Sequence, residues 1–431
     1  MKNFKWWPVL GLVVVASAAL TACGGGSNNN SNSSLRVVNL TLTHPSLDLL
    51  VNSSASVAGT ALDTVSAYVG VGSGSSALQL NDSGKTTALA AISPTLAGGQ
   101  HYALIAYEVS GAVKMAAMTE DLAVPLTGTA QLRVYDTATD AGPLDVYVTA
   151  PGVALSTVAP SFTINALTFG QTSALTPLTP GTTYEVRVTG QNVKSDLRAD
   201  VQNVVLTNQQ IGTVVLTPAV GGILLNGALL VQQGAYTAAR NTTARVRLAT
   251  GPMSGSPTVA AVAGTTTIDS GTVAPSVSSS YVTVPAAGPL SVSVNGTAQT
   301  VPVTALVAGS DNTVLVYGNP TSATVSVLTD DNHLPADPTK FKLRLVNMLT
   351  GTSAAALQLS ANYANVAPTS TLPGTASAYG LITPTASMPL SVSSPSMYNT
   401  TVSLTANSVY SLFVLDTSTS GPSAPRLVLD R

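Results

Sequence analysis

From Leu35 onward, short runs rich in Val, Leu, Thr and Tyr alternate with Gly, Pro, Asn and Ser. Inside the runs apolar and polar positions alternate, which is the period of a half-buried strand. No stretch past Cys23 keeps the helical period of an amphipathic helix. Short strands at this spacing, separated by turn residues, predict an all-β chain of antiparallel Ig-like sandwiches. The clearest hairpin is Leu290–Val294 followed by Asn295-Gly296, the favoured pair for a type I′ turn. Asn81-Asp82-Ser83-Gly84 turns a matching hairpin earlier in the chain.

The pattern repeats. One strand recurs four times, as Leu35-Arg36-Val37-Val38-Asn39, Leu132-Arg133-Val134-Tyr135-Asp136, Val246-Arg247-Leu248-Ala249 and Leu343-Arg344-Leu345-Val346-Asn347. The step from Arg36 to Arg133 equals the step from Arg247 to Arg344, and the step between Arg133 and Arg247 is longer. Alternation puts the flanking aliphatics on one face and the arginine on the other. A later strand follows in each repeat, at Tyr102, Tyr184, Val314 and Tyr410. Its offset from the arginine is nearly the same in the first, third and fourth repeats and smaller in the second, so the second repeat reads as the short one. Four sandwiches are expected, over residues 35–126, 127–238, 239–338 and 339–431. Each is of ordinary domain size and can bury its own core.

Two of the repeats carry a further signature. Leu35-Arg36-Val37-Val38-Asn39 precedes Leu47-Asp48-Leu49-Leu50-Val51, and Leu132-Arg133-Val134-Tyr135 precedes Pro143-Leu144-Asp145-Val146-Tyr147-Val148. These pairs resemble the opening of the bacterial domain-of-unknown-function family 4397. The Asp stands at the same offset past the Arg in both; Val259 and Ala356 hold that offset in the third and fourth repeats. The resemblance implies a secreted or lipid-anchored, sandwich-like domain and no activity.

The N-terminal end reads differently. Lys2 and Lys5 precede an apolar run from Trp6 to Ala19, and Leu20-Thr21-Ala22-Cys23 closes it. A basic start, a short apolar core and small residues before a cleavage point make a signal peptide. Ending on cysteine makes it a bacterial lipobox. A spanning helix needs roughly 20 apolar residues, more than this run supplies. Residues 1–22 are therefore expected to be removed and Cys23 to carry diacylglycerol and an amide-linked acyl chain such as palmitate. Gly24 in place of Asp after the cysteine points to the outer membrane, on its periplasmic or surface face. Residues 23–34, reading CGGGSNNNSNSS, have no core-forming side chain after the lipidated Cys23 and form a flexible tether.

Composition narrows function by exclusion. Charged residues are 8% of the chain and the formal charge is −2, with no Lys/Arg cluster, so nucleic acid is not a partner. Cys23 is the only cysteine, so no intramolecular disulfide holds the fold. Asp48 and Asp145 are the candidate ligand contacts, set against the plainer reading of an Asp facing outward or capping a turn beside Pro45 or Pro143. Glu120-Asp121 and Asp330-Asp331-Asn332 read as solvated linker turns. Calcium needs about six to eight oxygen ligands, more than either group offers. His44, His101 and His333 are scattered and supply no zinc spacing. No G-x-S-x-G elbow occurs, so no catalytic residue, cofactor or metal is expected. Gly221 to Val231 reads as an aliphatic hairpin around Asn226-Gly227, completing the second repeat or buried between the second and third. The sequence thus points to a non-enzymatic binding or structural module of the cell envelope. Its partners are the membrane, through the lipid on Cys23, and an unidentified protein or glycan. The rivals are an envelope hydrolase or carbohydrate-processing subunit, and an adhesion or assembly component.

Overall fold

The computed structural model describes residues 32–431 except 110, 159–162, 169, 304, 351–354, 394–397 and 416–424. The lipobox, Cys23 and most of the tether lie outside the described residues. Among the described residues the only helical piece is the 3-10 turn Leu155–Thr157. Everything else regular is strand, and the architecture is all-β, a tandem of sandwiches.

Each sandwich is built on two main sheets, and the first adds a two-stranded ladder of Gly74–Ser75 with Thr95–Leu96. In the first, one sheet runs Ala112–Thr119, His101–Val109, Ser33–Asn39, with Thr64–Val65 and Val69–Val71 sharing the far side of Ser33–Asn39. The other runs Ser54–Ala61, Ser46–Val51, Leu78–Asp82, Ala88–Ile92. Leu35, Val37, Leu47, Leu49, Leu78, Leu80 and Leu104 fill the space between them. The arginine strand is the organising element. It pairs in parallel with a late strand, and the register repeats: Arg36 opposite Ala103, Arg133 opposite Thr213, Arg247 opposite Thr313, Arg344 opposite Ser411. All other strand pairs among the described residues are antiparallel. The Asn295-Gly296 turn forms as the sequence predicts, with φ of 46° and 79°, both positive as type I′ requires.

The second sandwich corrects the offset reading. Thr183–Gly190 is not the counterpart of His101–Val109. It pairs with Leu144–Thr149 in the other sheet, as Leu78–Asp82 pairs with Ser46–Val51. The true late strand is Ile211–Pro218. The step from Arg133 to Thr213 is longer than the steps from Arg36 to Ala103, Arg247 to Thr313 or Arg344 to Ser411, so the second repeat is the long one, not the short one. The two strands share the same Thr/Val/Tyr alternation, and spacing alone chose the wrong one.

The aliphatic segment after Gly221 completes the second sandwich, as expected, but its turn lies elsewhere. Asn226-Gly227 is not a turn. Leu225–Val231 is one strand, with Asn226 opposite Thr217 and Gly227 opposite Leu216. The chain reverses instead where the Ala219 amide donates to Leu224 O, 3.1 Å. Leu225–Val231 pairs with the late strand of the second sandwich as the closing strands Ala112–Thr119, Ser322–Asp330 and Arg426–Leu429 do in the others, and Tyr236–Ala239 adds one strand beyond it. Gly227 is required by packing: a Cβ there would stand 2.5 Å from Val201 Cγ2.

The sandwiches are not beads on a string. The arginine-bearing sheets of the first and second stack face to face. Val38, Leu40, Ala103, Ile105 and Met118 meet Val215, Ala228 and Leu230. The third and fourth stack likewise, Ala249 and Leu315 against Val346, Met348, Phe413 and Val428. Each arginine strand is consequently buried on both faces. Fully burying such aliphatic side chains is worth about 1.5–3 kcal/mol each before entropy costs.

Candidate functional site

The arginines point away from their own cores, as alternation dictates, but they do not reach solvent. Arg36, Arg133, Arg247 and Arg344 are 3%, 7%, 0% and 2% exposed. They form a polar seam inside the stacked faces. A buried guanidinium needs a paired, hydrogen-bonded partner.

Between the third and fourth sandwiches the solution is reciprocal. Arg247 Nε donates to Thr313 Oγ1 and Arg344 Nε to Ser411 Oγ, each 2.8 Å and each within its own sandwich. Each guanidinium then reaches across, Arg247 to Asp430 and Arg344 to Asp330. Thr313 Oγ1 donates to Asp330 Oδ2 and Ser411 Oγ to Asp430 Oδ2, both 2.6 Å. Tyr281 and Tyr379 lie under the two guanidinium groups at 4.8 and 4.9 Å from their ring centres. Burial alone raises the Asp330 carboxyl; Arg344 and Arg247, with hydrogen bonds from Thr313 and Tyr281, overcome it and hold the group below its usual value. Two arginines face two aspartates, and the seam is neutral.

Between the first and second sandwiches the same plan is incomplete. Ala103 replaces the hydroxyl residue, and the longer Glu120 replaces Asp. Arg36 pairs with Glu120 in its own sandwich and reaches across only to backbone, donating to Gly234 O at 2.7 Å and Val231 O at 3.0 Å. Tyr68 stacks on Arg36 and donates to Glu120 Oε2 at 2.6 Å. Arg133 donates from Nε to Thr213 Oγ1 at 2.9 Å and from Nη2 to Thr119 O at 3.0 Å. It has no carboxylate of its own: Gln232 and Gln233 follow the closing strand where Asp330 and Asp430 end the others. Burial pulls the Arg133 guanidinium down, with Glu120 and Tyr135 offsetting only part.

This overturns the reading of Glu120, Asp330 and Asn332 as solvated turns, while Asp121 and Asp331 stay partly exposed. Glu120 and Asp330 are 1% and 0% exposed and close the arginine seam, and Asn332, 0% exposed, donates from Nδ2 to Asp311 Oδ2 at 2.7 Å. The tyrosines escaped sequence reasoning, although a signal was present. Ser66-Ala67-Tyr68 and Ser377-Ala378-Tyr379 are one motif, with Ser173-Ala174-Leu175 as its variant. Each serine hydroxyl accepts from an arginine-strand amide, Val37, Leu345 or Val134.

Asp48 and Asp145 lie on corresponding strands, each tied to backbone. Asp48 accepts from Gly59 N at 2.7 Å and Gly84 N at 2.9 Å. Slight burial opposes, but these amides and the Ser83 hydroxyl hold its carboxyl below the usual range. Asp145, 4% exposed, accepts from Asn192 N at 2.8 Å. The three histidines lie apart, each on a carboxylate: His44 Nδ1 on Asp82 at 2.6 Å, His101 Nδ1 on Asp121 at 3.1 Å, His333 Nδ1 on Asp140 at 3.0 Å. Among the described residues no group of three or more His, Cys, Asp or Glu is arranged to hold a metal ion.

Asp140 marks a junction of three sandwiches. Its carboxylate accepts from His333, from Leu334 N at 3.0 Å and from Arg431 Nη1 at 3.2 Å, and Arg431 also donates to Gly222 O at 2.7 Å. Burial lowers the Arg431 guanidinium to about 10, with Asp140 pulling the other way. Gly222 is held at φ +93°, and a Cβ there would overlap the His333 backbone, so no other residue fits.

Among the described residues the surface clefts include three of note. A groove of about 410 Å³ runs along the joint of the second and third sandwiches, where Arg198, Asp200, Gln202, Asn203, Asn241 and Thr283 alternate with apolar wall from Leu197, Ala199, Ala238 and Ala239. An apolar cleft of about 560 Å³ enters the second sandwich at Val148, Val153, Pro177, Leu178 and Tyr184. A third, of about 710 Å³, lies between Tyr107, Lys114, Asp140, Leu334 and Pro335.

Residues 33–147 match the family model described as Domain of unknown function (DUF4397). The match covers the first sandwich and ends inside Leu144–Thr149 of the second. No curated protein matches the chain. Solved structures similar in part include CBMbc, of family CBM26, from Eubacterium rectale in complex with maltoheptaose, at 10% identity over 47% of this chain and 97% of that one, TM-score 0.17. Putative cell adhesion proteins of Bacteroides ovatus and Bacteroides uniformis match at 10% and 11% identity, each over 48% of this chain and 98% and 97% of their own, TM-scores 0.21 and 0.19. Likeness at this level carries no argument.

Proposed function

We propose that this chain is a lipid-anchored, non-enzymatic binding module of the outer membrane, with Cys23 as its anchor and the groove between the second and third sandwiches as its site for a neutral, polyhydroxylated ligand such as a glycan. The observation that supports the binding site is the groove's chemistry. Gln202, Asn203, Thr237, Thr242 and Thr283 are exposed along it. Asp200 is tied to Gln202 Nε2 at 2.8 Å, and Arg198 to Asp196 at 2.9 Å. Donors and acceptors are mixed, neither sign of charge dominates, and no histidine or cysteine lines the wall. Such a surface hydrogen-bonds hydroxyls and offers no nucleophile–base pair.

Two measurements test this. Labelled palmitate should attach to the wild type and not to Cys23→Ser; no label on the wild type removes the anchor. Calorimetry of the purified chain against saccharide fractions of the envelope should show binding that a Gln202→Ala, Asn203→Ala double variant weakens about tenfold, the loss of roughly 1.4 kcal/mol. Binding unchanged by the double variant would move the site elsewhere, and turnover of a fraction would make the chain an enzyme.

A further inference from the structure

The position three residues past the repeat arginine carries an amide in two sandwiches and a carboxyl in a third. It is Asn39 in the first and Asn347 in the fourth, in the same register against the late strand. In both, Oδ1 accepts the amide two residues on, Thr41 N at 3.2 Å or Leu349 N at 3.1 Å. In both, Nδ2 donates to two carbonyls. For Asn39 these are His44 O at 3.2 Å and Thr60 O at 3.1 Å; for Asn347 they are Ala355 O at 2.9 Å and Thr371 O at 2.8 Å. The second sandwich has Asp136 here, opposite Leu216, and fully buried. Its Oδ1 plays the same part, accepting Ala138 N at 2.8 Å. Oδ2 therefore takes the place of the amide nitrogen, and it has no hydrogen-bond partner. Thr60 and Thr371 stand three residues before the amides of Asp63 and Gly374 that bond Asn39 O and Asn347 O; Gly170 N bonds Asp136 O, so the carbonyl in that place is Leu167 O.

An acceptor oxygen here faces acceptors. A buried carboxylate without a donor or counter-charge is costly, and the group sheds the cost by taking up a proton. We infer that Asp136 is carried as the neutral acid and donates its proton to the backbone carbonyl that the sister sandwiches engage with an asparagine amide, making the second sandwich a pH-sensitive element of the assembly. The titratable groups around it supply no cation: Tyr135 on its own strand, Tyr107 from the first sandwich and Asp140 in the following turn. The Asp140 charge is already used by His333 and Arg431 at the three-sandwich junction. Burial pushes the Asp136 carboxyl up to about 7 from 3.8, against the Ala138 amide and with help from Asp140. The sign follows. Below about pH 4 both folded and unfolded chains are protonated and the group contributes nothing. Between about pH 4 and 7 the unfolded chain releases a proton that the folded chain keeps, so stability falls as pH rises. Above that window the loss is complete and constant.

The test is Asp136→Asn in the full chain, which installs the residue of the sister sandwiches. Its melting temperature should equal that of the wild type near pH 4, pull ahead through neutrality and hold a constant lead above about pH 7. Burial also raises the Asp311 carboxyl, to about 6, so the readout at pH 6 is the difference spectrum: wild type minus variant should show the infrared carbonyl band of one buried protonated carboxyl. Parallel melting profiles, a variant weaker at every pH, or a missing band would overturn the inference. So would a wild type that loses stability in EDTA and regains it with calcium while the variant does not, because a cation would then be doing the proton's work.

Discussion

Replacing Arg344 and Arg133 separately by methionine measures what the two seams are worth. Both side chains are buried, 2% and 7% exposed, and both bond a hydroxyl on the late strand. They differ in what they leave behind. Arg344→Met strands Asp330, fully buried, whose remaining partners are Thr313, Tyr281 and Arg247 at 3.9 Å. Breaking a buried pair from one side costs about 3–5 kcal/mol. Arg133→Met strands no carboxylate. It frees Thr213 Oγ1, a hydroxyl that can turn to another partner, and Thr119 O. That loss, about 1–3 kcal/mol for an unmet neutral acceptor, is offset by no longer burying an uncompensated cation. The net expectation is about 1 kcal/mol or less. Urea unfolding of the full chain, followed by far-ultraviolet circular dichroism and fitted per transition, reads both. The Arg344→Met double variant with Asp330→Leu should recover most of the loss, since removing both partners of a buried pair is often neutral. Equal costs for the two single variants would refute the claim that the first seam carries an unpaired guanidinium.

Other consequences are simpler to check. Gly227→Val forces a side chain into Val201 and should unfold the second sandwich at a temperature several degrees lower, by calorimetry, as should Leu225→Asp, which buries an unpaired charge in a side chain 1% exposed. EDTA and reducing agents should leave melting unchanged in a chain cleaved before Cys23, whose stability is assigned to apolar packing and the arginine seams. If the rival hydrolase reading holds, His44→Gln should abolish a measurable esterase or glycosidase activity; the expectation is that neither the wild type nor the variant shows one.

The strands, their alternation and the fourfold repeat were legible because they depend on local period. What covers a face is not local. The alternation at Leu35-Arg36-Val37 sets the arginine opposite the core but cannot say that a second sheet lies on it. A signal did exist. Val38 and Val346 share the face of Arg36 and Arg344, and Ala249 that of Arg247. A strand apolar on both faces is buried on both. Reading Glu120 and Asp330 as linker turns followed from their place at repeat ends, where charge usually meets water. Arg36 stands 84 residues from Glu120, and Arg344, although 14 residues from Asp330, belongs to the next sandwich, so only the stacking of the sheets brings the latter two together. The second repeat failed for another reason: two strands of one sandwich carry the same alternation, and only pairing tells Thr183–Gly190 from Ile211–Pro218.

The groove depends on how the two stacked pairs are joined. One wall, Arg198 to Asn203, belongs to the second sandwich, and Thr283 belongs to the third. Between them the connecting residues are fastened on both sides. Asn241 donates from Nδ2 to Arg198 O at 2.8 Å and Leu225 O at 3.0 Å, and its Oδ1 accepts Thr243 N at 2.9 Å. Arg240 reaches back to the first sandwich, donating to Asp63 Oδ1 at 2.8 Å and Thr41 O at 2.7 Å. Asp140, Arg431 and Gly222 close a second set of contacts between the pairs. A linker with its amides and guanidinium so committed has lost most of its freedom in the folded chain, so a ligand in the groove meets walls already in place. Whatever loosens these fastenings should therefore weaken ligand binding before it unfolds any single sandwich, because each sandwich keeps its own core.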